Sequence, residues 1–156
     1  MNVIFLDIDG VLNSTNYTKR YEEMKTKKEG IYKNIDDSAL KYLKELRNRY
    51  DAKIILISSW RMPINKLKKS IEEKSITEKE RKEYGGKATL RTLYEKVKLE
   101  YDLDFDDATT DLHNRMLEIQ LYLLLHKEIE KFVILDDNDE NFTEIFEEQF
   151  IQCCKK

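Results

Sequence analysis

Three short apolar runs punctuate an otherwise charge-rich chain: Asn2 to Leu6, Lys53 to Ile57 and Phe132 to Leu135. Beyond its first residue, each is continuous in Val, Ile, Leu or Phe, the pattern of strands covered on both faces. Helical spacing fills the intervals. Leu40, Leu43, Leu46 and Tyr50 fall on one face of a helix that Asp36 or Asp37 can cap. A second helix is predicted from about Asn114 to Lys127, where Met116, Leu117, Gln120, Leu121, Leu124 and Leu125 mix core and surface positions, and a third over Glu140 to Glu148. Residues 103–109 and Phe150 to Cys153 can add strands. Strands alternating with helices imply parallel pairing through crossover connections, hence an open α/β sheet.

Two stretches stand outside this alternation. Residues 13–34 form a polar, tyrosine-containing excursion after the first strand, and residues 62–87 carry a charge-dense helix or helix pair ending at Gly85-Gly86. With one proline and four glycines in the whole chain, neither reads as a linker. There is no internal repeat and no low-complexity tract.

Length and composition narrow the picture. The 156 residues suit one domain with one filled core, and 38% charged against 40% hydrophobic residues describe a globular protein rather than a disordered one. A net charge of −3 weighs against wholesale nucleic-acid binding. No apolar run reaches membrane-spanning length, and the N-terminus shows no basic region followed by an apolar stretch and cleavage site, so no membrane partner and a cytoplasmic location are expected. The cysteines, Cys153 and Cys154, are adjacent and lack a distant partner, so no disulfide framework is available; two small residues in a late strand are favoured over a two-thiol metal or redox role.

The residues just past each apolar run are more informative, because ligands of open parallel sheets sit outside the carboxyl ends of the strands. The first strand ends in Asp7-Ile8-Asp9-Gly10, the second in Ser58-Ser59-Trp60-Arg61, and the third in Asp136-Asp137-Asn138-Asp139. Acids, hydroxyls and an arginine thus converge at one edge. Asp7 and Asp9 share a side only if the strand continues past them, and Gly10 signals that the chain is already turning. Four close carboxylates raise one another's pKa. A hard divalent cation removes that cost, and Mg²⁺ suits a few carboxylates completed by water and substrate phosphate. Helix caps and turns are the competing use of such acids, common for any single pair and less so for several strand ends of one sheet.

These residues resemble the haloacid dehalogenase-like (HAD) phosphohydrolase superfamily. Asp7-Ile8-Asp9-Gly10-Val11 is similar to its opening Asp-x-Asp motif, Ser58 to its Ser or Thr at a strand end, and Asp136-Asp137 to its acidic fourth motif. Arg115 is the best match to the basic residue opening the preceding helix, with Lys87 as a competitor. The finer pattern of Asp-Gly-Val-Leu-Asn, Ser-Ser-Trp-Arg, Arg115 with Glu118-Ile119, and a Leu-Asp-Asp strand is similar to the HAD domains of RNA-repair proteins. The resemblance implies one three-layer, Rossmann-like parallel-sheet domain over residues 1–156, with residues 13–34 and 62–100 as small, cap-like variable excursions. It implies a phosphatase in which Asp7 attacks phosphorus and Asp9 protonates the leaving oxygen, then activates water. Ser58, helped by Ser59, would bind the phosphoryl group, and Arg115 would balance charge. Mg²⁺ would be held by Asp7, the Asp9 carbonyl and Asp137, with Asp136 as a further ligand or just behind them.

Other candidates carry less. Arg61 can hold a second phosphate or pair with a neighbouring acid, and Trp60 can stack on a base, although a core position suits it better. Asp102 to Asp106 invites a calcium-loop reading that fails, since the sixth position is Asp107 and the twelfth His113. His113 and His126 show no ligand spacing, and the nine tyrosines show no stacking motif. Residues 19–33 hold six Lys or Arg against three Glu, and residues 61–87 nine against five, whereas residues 128–148 are almost wholly acidic where charged. That basic excess beside the expected site favours a nucleotide or nucleic-acid end over a small phosphate ester, with sugar or metabolite phosphates and a non-catalytic phosphate-binding or protein-binding module as the alternatives.

Overall fold

A computed structural model describes residues 1–12, 36–58, 97, 98 and 100–153. Five parallel strands form one sheet: β1 (Asn2–Leu6), β2 (Ala52–Leu56), β3 (Asp107–Ala108), β4 (Lys131–Asp136) and β5 (Phe150–Gln152), in the order β3-β2-β1-β4-β5. Helices α1 (Asp37–Tyr50), α2 (Arg115–Leu125) and the short α3 (Phe142–Ile145) complete the described elements.

The central strand sorts the core into two halves by simple alternation. Ile4 and Leu6 face a cluster containing Leu40 and Leu43 of α1, while Val3 and Phe5 face one containing Met116, Ile119 and Tyr122 of α2 and Phe142 of α3. The result is three layers, an α/β Rossmann-like arrangement in which β1 is buried on both faces. Register is in step across the middle of the sheet, Leu6 lying opposite Leu56 on one side and Leu135 on the other. β1 and β2 therefore end at the same level, and β4 runs one residue further, to Asp136.

Local chemistry sets most boundaries. Asp36 accepts the Ser38 amide at 2.8 Å and starts α1, which stops where Asp51 takes a left-handed conformation (φ 45°). Tyr50 does not join the core face as its spacing predicts. It sits in the last turn, 54% exposed, and its carbonyl accepts the Asn2 side-chain amide at 2.7 Å. Strand β2 runs one residue earlier than predicted, because Ala52 pairs opposite Asn2. The stretch 103–109 keeps only two strand residues. Ahead of them Asp106 clasps Ile54 through main chain and side chain, its amide donating to the Ile54 carbonyl and its carboxylate accepting the Ile54 amide, each at 2.8 Å.

On α2 the predicted leucines separate: Leu117, Leu124 and Leu125 are exposed, and Met116, Ile119 and Tyr122 form the core stripe. The helix predicted over Glu140 to Glu148 shrinks to four residues. Phe142 and Phe150 pack together at 5.1 Å, and Phe150 must also pair with Ile134 at the sheet edge. A helix of nine residues would leave no chain to turn back, so Phe146 closes the reversal by accepting from the amides of Gln149 and Phe150.

Candidate functional site

The ladder hydrogen bonds continue past the strand ends and hold the polar residues there. The Asp7 amide donates to Leu135 at 2.9 Å, the Ile57 amide to Leu6 at 3.0 Å, and the Cys153 amide to Asp136 at 2.8 Å. Asp7 and Ser58, one and two residues past their strands, are thus fixed by the sheet itself. Both are buried, with Asp7 only 1% exposed. The chain then turns, the amides of Val11 and Leu12 both donating to Ile8, with Gly10 at φ +79°. That turn separates the two opening acids: Asp7 points inward and Asp9 is exposed.

Asp7, Asp136 and Asp137 each bring a carboxylate oxygen within 4.8 Å of the others. Asp136 is firmly held. Its Oδ2 accepts from Arg115 Nη1 at 2.6 Å and its Oδ1 from the Asn138 amide at 2.9 Å. Asp137 is placed by Gly10: a Cβ at that glycine would lie 2.6 Å from Asp137 Cγ, so only glycine permits the approach. The Asp137 carbonyl accepts from the Gln152 side-chain amide at 3.2 Å.

Asp7 differs from both. Neither of its buried oxygens has a hydrogen bond of ordinary geometry among the described residues. Arg115 Nη1 stands 3.3 Å away as an ion-pair partner. Burial, reinforced by the negative charge of Asp136, pushes the Asp7 carboxyl up to about 6, against the opposing pull of Arg115, the Ile8 amide and the Ser58 hydroxyl. Burial also raises Asp136, despite the Asn138 amide and Arg115. For Arg115, burial works to lower the pKa, but the carboxylates of Asp7 and Asp136 outweigh it and hold the guanidinium more firmly protonated than usual.

This donor set fits a divalent cation. Among the described residues, this group of three carboxylates is offset by one guanidinium, paired to Asp7 and Asp136, so two negative charges remain when all are ionised and the Asp7 oxygens lack a hydrogen bond of ordinary geometry.

Of the residues singled out in the sequence, Asp7, Arg115, Asp136 and Asp137 come together, with buried Ser58 acting on Asp7 and Asp9 exposed at the turn beside them. Ser59, Trp60, Arg61, Lys87 and Cys154 lie outside the described residues, as do most of the excursions 13–34 and 62–100. The acids of the rejected calcium loop have structural partners: Asp104 pairs with Lys98 at 3.2 Å, and Asp107 accepts from the Tyr122 hydroxyl at 2.8 Å. The His113 side chain is 94% exposed, near Asp111. Glu118 is a buried acid whose burial the sequence pattern did not reveal; the available signal was a lone acid three residues after Arg115 in an otherwise uncharged helix.

A three-layer parallel α/β domain with a buried aspartate one residue past its central strand, and an arginine-bridged acidic group beside it, is consistent with a HAD-like fold. The chain belongs to the family described as the HAD domain in Swiss Army Knife RNA repair proteins, whose model matches residues 3–156. No curated protein and no solved structure gives a significant match. The family is of phosphohydrolase type.

Proposed function

We propose that this chain is a Mg²⁺-dependent phosphatase working through an aspartyl-phosphate on Asp7, with a polynucleotide or nucleotide terminal phosphate as substrate. The observation that carries this reading is the state of Asp7: a sheet-anchored, buried carboxylate with neither oxygen in a hydrogen bond of ordinary geometry among the described residues, beside Arg115 and two further acids. Structural carboxylates here keep at least one oxygen hydrogen-bonded, as Asp104 does to Lys98, and Asp136 has both satisfied.

Asp7 attacks phosphorus as the bond to the leaving oxygen breaks, and Asp9 gives its proton to that oxygen. Asp9 then takes a proton from water, whose oxygen attacks the phosphorus, releasing inorganic phosphate and restoring Asp7. The exposure of Asp9 suits a group that must meet both leaving group and water. Ser58, with Ser59, holds the phosphoryl oxygens, and Arg115 limits the repulsion between Asp7 and an anionic substrate. Mg²⁺ would be held by Asp7, the Asp9 carbonyl and Asp137, and when bound it supplies charge neutralisation at the phosphoryl group. Asp136, already engaged by Arg115 and the Asn138 amide, supports this set from behind. The whole of residues 1–156 forms one catalytic domain, and the basic excess of residues 19–33 and 61–87, with Arg61 among them, favours a substrate with several phosphates.

The test is hydrolysis of an aryl phosphate with and without Mg²⁺, then of 3′- and 5′-phosphorylated oligonucleotides, mononucleotides and sugar phosphates. Turnover of oligonucleotide ends above the others supports the substrate class. Preference for sugar phosphates replaces it with a metabolite phosphatase, and binding without turnover makes the chain a non-catalytic phosphate-binding module.

A further inference from the structure

Glu118 is 1% exposed, yet the proposed chemistry does not use it. A carboxyl group so far from water costs stability unless hydrogen bonds compensate it. Its Oε1 accepts the Leu112 amide at 2.9 Å, and its Oε2 lies 3.5 Å from the Thr109 hydroxyl. Thr109 is itself tied to the sheet, its amide donating to the Leu56 carbonyl at 3.0 Å. One side chain of α2 therefore fastens the helix to the end of the β3 strand and to the loop that leads into the helix.

Arg115 opens that helix three residues earlier, and only two of the eleven residues in Arg115–Leu125 are charged. Both are turned inward, Arg115 to Asp136 and Asp7, Glu118 to Thr109 and Leu112. The apolar stripe of Met116, Ile119 and Tyr122 orients α2 against the sheet, but apolar contacts tolerate sliding along the helix axis. A directional hydrogen bond does not, and Arg115 must place one nitrogen between two carboxylates.

We propose that Glu118 is the positioning residue for Arg115, fixing the axial position of α2 so that the guanidinium meets both Asp136 and Asp7. The catalytic consequence rests on the phosphatase reading, whereas the positioning is a property of the fold. Glu118→Met keeps the side-chain bulk and removes the acceptors, and Glu118→Gln keeps an acceptor for the Leu112 amide. Two readouts are needed: kcat and KM for an aryl phosphate with Mg²⁺, and the Arg115 Nη1–H resonance, assigned by its loss in Arg115→Lys and slowed in exchange by the ion pair that Nη1 makes.

Glu118→Met is expected to lose the protected resonance and to lower kcat about ten- to a hundredfold with KM within about threefold. It should add nothing further in an Arg115→Lys background, and Glu118→Gln should restore both readouts. If Glu118→Met does not fold, Leu112→Pro removes the donor from the opposite side and carries the same expectation. A folded Met or Pro variant that keeps the protected resonance overturns the proposal. Failure of the wild-type protein to hydrolyse any phosphate overturns the phosphatase reading instead, and the resonance still decides whether Glu118 positions Arg115.

Discussion

Arg115 meets Asp136 at 2.6 Å and reaches Asp7 with the same nitrogen at 3.3 Å, so the closer contact is made with the acid that already has a second hydrogen bond. The guanidinium offsets one of the two carboxylate charges without giving Asp7 a hydrogen bond of ordinary geometry. That asymmetry leaves Asp7 charged, buried and under-coordinated, with consequences for turnover, stability and metal binding.

Asp7→Asn should abolish turnover, lowering kcat by about three orders of magnitude or more, while making the metal-free protein more stable near neutral pH. The Asp7 carboxyl stands at about 6 against an ordinary 3.8, so its ionisation in the fold costs on the order of 3 kcal/mol. A neutral isostere removes that cost. Thermal unfolding without Mg²⁺ and aryl-phosphate turnover with it measure the two effects; a variant that retains activity would sink the nucleophile assignment.

The same shift fixes a pH dependence of metal-free stability. Between about pH 4 and 6 the native state keeps the Asp7 proton that the unfolded chain has released. The Asp7 contribution to stability therefore falls as pH rises through this window, and levels off above it. Denaturant titrations across pH 4 to 7.5 should show a slope reduced in Asp7→Asn. Mg²⁺ competes with that proton, so it should raise the melting temperature more at pH 7 than at pH 4.5.

Arg115→Met should destabilise the fold by about 3–5 kcal/mol at pH 7, because two buried carboxylates then face each other without a cation. Lowering the pH should recover much of the loss, as protonation removes the repulsion. Arg115→Lys keeps the charge and should fall between. Urea unfolding of the three proteins at pH 7 and pH 5 checks the order; equal stability at pH 7 would refute it.

Gly10→Ala tests how Asp137 is held. The alanine meets a left-handed backbone, at a cost of about 1–2 kcal/mol, and its methyl carbon would lie 2.6 Å from Asp137 Cγ. Asp137 must move away. Mg²⁺ affinity measured by calorimetry should drop about ten- to a hundredfold, beyond what the modest stability loss explains.

If the basic excess of residues 19–33 and 61–87 contacts a polynucleotide, KM for a phosphorylated oligonucleotide should rise steeply between 50 and about 200 mM salt, while KM for an aryl phosphate changes little. Parallel salt dependence for the two substrates would remove the argument for a polynucleotide.

The site was legible where an apolar run ends abruptly in chemistry. Asp7, Ser58, Asp136 and Asp137 could be placed at one edge because β1, β2 and β4 are nearly unbroken apolar runs in sequence. Arg115 was legible only through the resemblance, since its inward turn depends on Asp136, twenty-one residues away. The contact of Gly10 with Asp137 stayed hidden for the same reason, as a long-range fit with no local signature, whereas Glu118 left only the weak signal of a lone acid in a largely apolar stretch of helix. Periodicity overreached in the helices. It enrolled Tyr50 beyond the edge of the core and extended α3 through residues needed to bring Phe150 back to the sheet.

The amides of Asp7, Ile57 and Cys153 donate to the carbonyls of Leu135, Leu6 and Asp136, carrying the ladder directly into the edge where the acids gather. Asp7, Ser58, Asp136 and Asp137 are thus mounted on the frame itself. Such a chassis can accept new surface segments between strand and helix without the acidic group at the strand ends having to be rebuilt.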